Sequence, residues 1–189
     1  MLSLPSHPEP LRVLGIDPGS SSLGLSILEW DMNSSMFDVV HEQTFALTGR
    51  DYPIAAENHG QRLARHFDLE DQIHCFLWQY RPHVIASESP FMGQFAAAFK
   101  ALSECLIILQ RSMYVYSNHL PFHYYAPKQV KSAVGVVLTG NKGRKKEDNF
   151  KAVVGHPKLN WMVDPSQMSE HSIDATAVAL TYLREHFPW

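Results

Sequence analysis

The pattern of apolar and polar residues predicts three strands near the start of the chain, and then strands that are separated by helices. Residues 12–17, 22–30 and 37–47 are short apolar or alternating runs, and Pro18 and Gly19 form a turn between the first two. The later elements follow in chain order: a helix over about 58–81, a strand at 83–89, a helix over about 94–114, a strand at 122–126, a helix from Pro127, a helix that holds Phe150 and Val153, and a last helix over about 169–186.

This order of elements predicts an α/β fold. We expect a mixed five-stranded sheet, made of a three-strand antiparallel meander plus two parallel strands and flanked by helices. With 189 residues, of which 45% are hydrophobic, the chain fits one domain. Residues 1–10, which include three prolines, are predicted to be a flexible N-terminal tail, and 11–189 a single domain.

The sequence also indicates a location. No apolar run approaches a membrane span and the first residues lack a secretory signal, so we expect a soluble, intracellular protein without membrane contact. It would be cytoplasmic if it comes from a bacterium or from a virus of bacteria. Cys75 and Cys105 lie in apolar runs without a metal-ligand spacing, and we predict that both are reduced thiols in the core.

Two acidic residues each end a predicted strand. Asp17 follows the apolar run before the Pro18 turn, and Glu88 ends the run that begins at 83. Small residues, Gly15 and Ala86, lie two positions earlier on the same face of each strand. Asp17 could simply cap its turn. If the two strands are neighbours, however, both carboxylates emerge at one end of the sheet with space around them, which suits a divalent ion.

A third acidic residue, Asp174, lies at the start of the last helix. His171 is three residues earlier and Glu170 four, so either could share its helical face. An acid near a helix N-terminus also has an ordinary explanation, because the helix dipole stabilises negative charge there. Three acids at two strand ends and one helix start are less easily explained as three independent caps.

The basic residues are unevenly distributed. The formal net charge is −3, yet seven of the sixteen lysines and arginines fall within residues 128–151. Such a cluster is either a solvated face or a local phosphate-binding patch on a mildly acidic protein. From this cluster we take Lys128, Arg144 and Lys145 as candidate phosphate-binding residues, together with the lysines described below.

Four segments together resemble a known family. "LGIDPGSSSLGLSI", "VIASESPFM", "YYAPKQVKSAVG" and "HSIDATAVAL" are similar, in order and spacing, to the RuvC-type Holliday junction resolvases of the ribonuclease H-like superfamily. The similarity runs from about residue 12 to 185. The first segment alone is less specific, because actin-like ATPases and sugar kinases also place an acid at a similar strand turn.

The resemblance implies a crossover junction endodeoxyribonuclease that depends on Mg²⁺, with Mn²⁺ as a substitute and two ions in each active site. It implies a homodimer that makes paired, symmetric nicks in branched DNA such as a four-way junction. The family pattern places catalytic and metal-binding residues at Asp17, Glu88, His171 and Asp174. It also places phosphate-binding lysines at Lys131 and Lys146 and an aromatic DNA contact at Phe91.

Three alternatives stay open at this stage. A related nuclease could prefer flaps or forks, and a protein of the same fold could bind junctions without cutting them. An actin-like phosphotransferase would need two such domains, for which the chain is short. Phe91 could pack rather than wedge DNA, and the helix over 94–114 could form either a dimer interface or core.

Overall fold

A computed structural model describes residues 9–90, 96–136 and 146–187, without the side chain of Lys146. The described residues form one six-stranded sheet in the order β5-β4-β1-β2-β3-β6. The strands are β1 (Leu11–Asp17), β2 (Ser22–Trp30), β3 (Phe37–Ala46), β4 (Val84–Glu88), β5 (Phe122–Tyr125) and β6 (Leu159–Trp161).

The predicted α/β sheet is confirmed, but the predicted number of strands was wrong by one. β1, β2 and β3 form the antiparallel meander, and β4 and β5 continue the sheet parallel to β1. The additional strand, β6, pairs parallel to β3 at the opposite edge. It has three residues, of which only Leu159 is buried, so it carries too few positions to show an alternating pattern.

Helices cover both faces of the sheet. Gly60, at a φ of 89°, separates the first two helices. The second matches the helix predicted over about 58–81, whereas the first was not predicted. A 3₁₀ turn at Pro165–Gln167 precedes the last helix. The α-helices are α1 (Pro53–His59), α2 (Gln61–Tyr80), α3 (Ala96–Tyr116), α4 (Pro127–Ala133), α5 (Lys146–Val154) and α6 (Glu170–His186).

The sheet separates two hydrophobic clusters. On one face, α2 and α3 pack against side chains such as Leu14 and Ile16 of β1. On the other face, α6 packs against the alternate residues of the same strand, such as Val13, and against Ala86 of β4. Helix α6 is therefore the element that covers the face on which Gly15 and Asp17 lie.

Two glycines let α6 approach the sheet closely. A Cβ atom on Gly15 would lie 1.9 Å from the backbone oxygen of Ala175, and one on Gly24 would lie 2.2 Å from the backbone oxygen of His171. Both distances are far inside van der Waals contact. The absence of side chains at these two positions therefore sets the distance between α6 and the strands β1 and β2.

The remaining expectations have mixed outcomes. Cys105 is buried as predicted, but Cys75 is exposed, because it lies on the outward side of α2; the prediction that both are core thiols was wrong. Most of the predicted tail, residues 1–8, lies outside the described residues. No helix in the described ranges is long and apolar enough to cross a membrane.

Candidate active site

Asp17 and Glu88 lie side by side at one edge of the sheet. Strands β1 and β4 are parallel neighbours with Gly15 opposite Ala86 and Ile16 opposite Ser87, so the next pair in this register is Asp17 and Glu88. Side chains two residues apart point to the same face of a strand, and Gly15 faces α6. Both carboxylates therefore leave the sheet on the α6 side, with the small residues Gly15 and Ala86 beneath them.

The first turns of α6 bring His171 and Asp174 to the same place. Ser169 caps the helix, since its side chain accepts a hydrogen bond from the backbone N–H of Ser172. His171 Nδ1 lies 2.7 Å from Asp17 Oδ2, which joins α6 to the end of β1. Glu170 is exposed and lies one position away. Helical spacing left both residues open, and the structure shows that His171 contacts a strand-end acid.

Two further polar residues contact this cluster, and the sequence reasoning missed both. The side-chain amide of Asn149, on α5, donates a hydrogen bond to Asp174 Oδ1. Ser22 Oγ lies 3.0 Å from His171 Nε2. Neither residue ends a strand or shares a helical spacing with the acids, and the segment containing Asn149 was read for its basic residues. Their involvement depends on contacts over 25 and 149 positions of sequence.

Burial and neighbouring negative charge raise the pKa of two of the acids. Burial, together with the negative charges of Asp17 and Asp174, raises the pKa of Glu88 to about 7, although Lys131 opposes the shift. Burial and the charge of Asp17 likewise raise the pKa of Asp174 to about 6. The hydrogen bond to Asp17 raises the pKa of His171. The site therefore concentrates negative charge that no neighbouring group of the described chain neutralises fully.

This donor set fits a hard divalent cation. Carboxylate oxygens are the ligands that Mg²⁺ and Mn²⁺ prefer. A cation would offset both the burial and the neighbouring negative charge that raise the pKa values of Glu88 and Asp174. Among the described residues, however, no three His, Cys, Asp or Glu side chains are already arranged to hold one ion. Asp17 and Asp174 each direct an oxygen to a neighbour instead, to His171 and Asn149.

Of the candidate DNA contacts, Lys131 lies near the acids and Lys128 lies in a groove beside the end of α6. Half-buried Lys131, on α4, lies near enough to Glu88 to lower its pKa. Lys128 is exposed and lines a groove of about 490 Å³ with Arg184 near the end of α6. Arg184 is ten residues beyond Asp174, or about 15 Å along the helix. Three of the candidate contacts lie outside the described residues, and the side chain of a fourth is not described: Phe91, Arg144 and Lys145, and Lys146, which begins α5.

The sheet and its acidic edge define a class of protein. An antiparallel meander is extended by parallel strands. Carboxylates lie at the ends of β1 and β4, and a third lies on the covering helix. This is the arrangement of a ribonuclease H-like nuclease. Polar groups at the carboxyl ends of strands commonly form the functional site of α/β sheets.

Comparisons with known proteins narrow this class. The family model for crossover junction endodeoxyribonuclease RuvC matches residues 13–182. A crossover junction endodeoxyribonuclease RuvC of Xanthomonas axonopodis pv. citri is 30% identical over 177 residues, which cover 90% of this chain and 86% of the relative. The chain belongs to the RuvC family.

Solved structures show the same fold. The structure of Thermus thermophilus RuvC in complex with a Holliday junction substrate has a TM-score of 0.68 and 23% identity, and the match covers 93% of this chain and 97% of that one. Another Thermus thermophilus RuvC structure has a TM-score of 0.59 and 27% identity, with 93% and 96% covered. The resemblance inferred from the four sequence segments is thus confirmed, and with it the activity of a Holliday junction resolvase, a metal-dependent endonuclease of DNA recombination and repair.

Proposed function

We propose that this chain hydrolyses phosphodiester bonds at four-way DNA junctions with an active site made of Asp17, Glu88, His171 and Asp174. The observation that carries this proposal is the convergence of two strand-end acids with a helix that brings a hydrogen-bonded histidine and a third acid. We infer that one domain, 11–189, holds the whole site. Two clusters packed on the opposite faces of a single sheet support this inference. A DNA substrate also fits the predicted intracellular location.

These four residues would hold Mg²⁺ or Mn²⁺, with two ions in each site. When bound, such ions activate a water molecule and neutralise charge on the leaving oxygen. The half-buried carboxylates of Glu88 and Asp174 would supply anionic ligands in a partly dehydrated site. Asp17 links the two elements, because it lies beside Glu88 in the sheet and accepts a hydrogen bond from His171 when Nδ1 carries the proton.

Lys131 and Lys146 would bind phosphates near the scissile bond. The proximity of Lys131 to Glu88 supports this role for the first lysine, since a phosphate held there would lie close to the acids. Lys128, Arg144 and Lys145 would bind phosphates of the same DNA further from the cut. We assign Phe91, three residues beyond Glu88, to stacking on a base or wedging between bases of an opened junction.

A homodimer would place two such sites on the two symmetric strands of a junction. An exposed apolar stripe on α3 supports this proposal: Ile107, Tyr114 and Val115 share one helical face and are 64%, 70% and 62% exposed. We expect Ile107→Glu to convert the dimer to a monomer in light scattering while the circular dichroism spectrum stays unchanged. A monomeric mass for the unmodified chain, both free and bound to a junction, would refute the dimer.

The central experiment compares cleavage of a four-way junction in Mg²⁺ and in EDTA. We expect paired nicks only with the metal ion, and their loss in Asp17→Asn, Glu88→Gln and Asp174→Asn with junction binding retained. Full activity in any one variant would remove that residue from the site. Flaps and replication forks are tested in parallel, because a faster rate on them would assign this chain a different branched substrate.

A further inference from the structure

Ser22 contacts the candidate histidine on the side away from Asp17. Its Oγ lies 3.0 Å from His171 Nε2, while Nδ1 of the same ring lies 2.7 Å from Asp17 Oδ2. Both ring nitrogens therefore have a polar partner, one from the end of β1 and the other from the start of β2.

The local backbone is built around this contact. The turn after Asp17 folds back so tightly that a Cβ on Gly19 would lie 2.4 Å from the backbone oxygen of Ser22. Two residues further along β2, Gly24 lets the backbone of His171 approach the strand. Ser22 is the first residue of β2 and pairs with Ala46 of β3. Its hydroxyl is thus held by the sheet, and not by a mobile loop.

We infer that Ser22 is a positioning residue that orients the imidazole of His171 toward Asp17 and the candidate metal site. This inference rests on the role proposed above for His171. It extends that role by naming the group that holds the ring.

The chemistry of the two contacts explains why a hydroxyl suits this position. Asp17 is an acceptor when ionised, so a neutral ring that donates from Nδ1 leaves Nε2 as an acceptor for the Ser22 hydroxyl. A hydroxyl also accepts a hydrogen bond, so Ser22 can keep its contact when Nε2 carries the proton and the Nδ1 lone pair is free for a cation. Ser22 would therefore hold the ring in the same plane in either tautomer.

Without this contact Nε2 would lose its partner on β2. The His171 side chain is 35% exposed, so water can replace Ser22 and the ring can rotate away from the acids. Outer partners of ligating histidines fix their orientation and tautomer, and their removal typically lowers metal affinity or activity about 10-fold to 100-fold.

The test uses the full-length protein with Ser22→Ala, Ser22→Thr and the matched control Ser21→Ala, whose side chain is exposed. Proton–nitrogen correlation spectra of the metal-free protein report which ring nitrogen of His171 carries the proton, and the signals are assigned by comparison with His171→Ala. Single-turnover cleavage of a four-way junction at saturating Mg²⁺ gives the rate, and junction affinity is measured separately.

We expect the unmodified protein, Ser21→Ala and Ser22→Thr to show one His171 tautomer, protonated at Nδ1. Ser22→Ala should show averaged ring signals and cleavage about 10-fold to 100-fold slower with unchanged junction affinity. Either an unchanged tautomer or an unchanged rate in Ser22→Ala overturns the inference. If His171→Ala itself cleaves at the normal rate, the proposed role of His171 fails and the inference about Ser22 fails with it. If His171→Ala is inactive and Ser22→Ala is normal, only the inference about Ser22 fails.

Discussion

Replacing Gly24 by alanine tests whether the close approach of α6 to the sheet positions the site. Gly24 pairs with Asp17 in the sheet, and a Cβ on it would lie 2.2 Å from the backbone oxygen and 2.4 Å from the carbonyl carbon of His171. Ordinary contact begins near 3.4 Å, so α6 would have to recede by about 1.2 Å at this point. That movement would stretch the 2.7 Å contact between His171 and Asp17.

Two quantities follow from this displacement. Overpacking of this kind destabilises a fold by about 1–3 kcal/mol, and this loss is measured by urea unfolding. A misplacement of about 1 Å can lower a catalytic rate about 100-fold, which is measured by single-turnover cleavage of a four-way junction. Because the lysines of α4 that we propose as phosphate contacts are not on α6, we expect junction affinity to change much less than the rate.

Gly60→Ala is the matched control for Gly24→Ala. Gly60 has a φ of 89°, so alanine is strained there, but apart from its chain neighbours no atom of the described residues lies within 4 Å of the added Cβ. This variant should lose stability while its folded fraction cleaves at the normal rate. If Gly24→Ala cleaves normally, or if Gly60→Ala slows cleavage equally, close packing of α6 does not determine the geometry of the site.

Three other predictions concern the ionisable groups. His171→Ala should reduce cleavage strongly, and His171→Asp should retain more activity with a shifted pH profile. Glu170→Gln should reduce cleavage only mildly. Loss of cleavage in Glu170→Gln together with normal cleavage in His171→Ala would assign the fourth site position to Glu170. Lys131→Ala should slow cleavage and reduce the salt slope of junction binding by about one. Lys128→Ala should weaken junction binding with little effect on the rate at saturating protein. Equal effects of the two variants would contradict the different roles proposed for the two lysines. In EDTA, the pKa of Glu88 in the folded state is about 7, which is above the unfolded value. The unfolding free energy of the wild type relative to Glu88→Gln should therefore fall as pH rises from about 4.5 to 7. A rise over that interval would contradict the raised pKa.

Local sequence determined much of this protein. Strand and turn residues have strong local preferences, so the end of β1 at Asp17 and of β4 at Glu88 could be predicted from the apolar runs before them. Helical spacing alone placed both His171 and Glu170 near Asp174. The family resemblance then singled out His171, which is the residue that contacts Asp17.

Only the tertiary structure decided which residues meet at the site. Ser22 and Asn149 contact the acids and the histidine through pairings distant in sequence, which no local periodicity encodes. The edge strand β6 forms only because it pairs with β3. Three residues are too few to form a stable strand without a neighbouring strand. The distance between α6 and the strands could not be predicted from the sequence either. The sequence does not show which backbone segment packs against a glycine. Gly24 is an ordinary strand residue in the sequence, and in the fold it is the space into which the backbone of His171 fits.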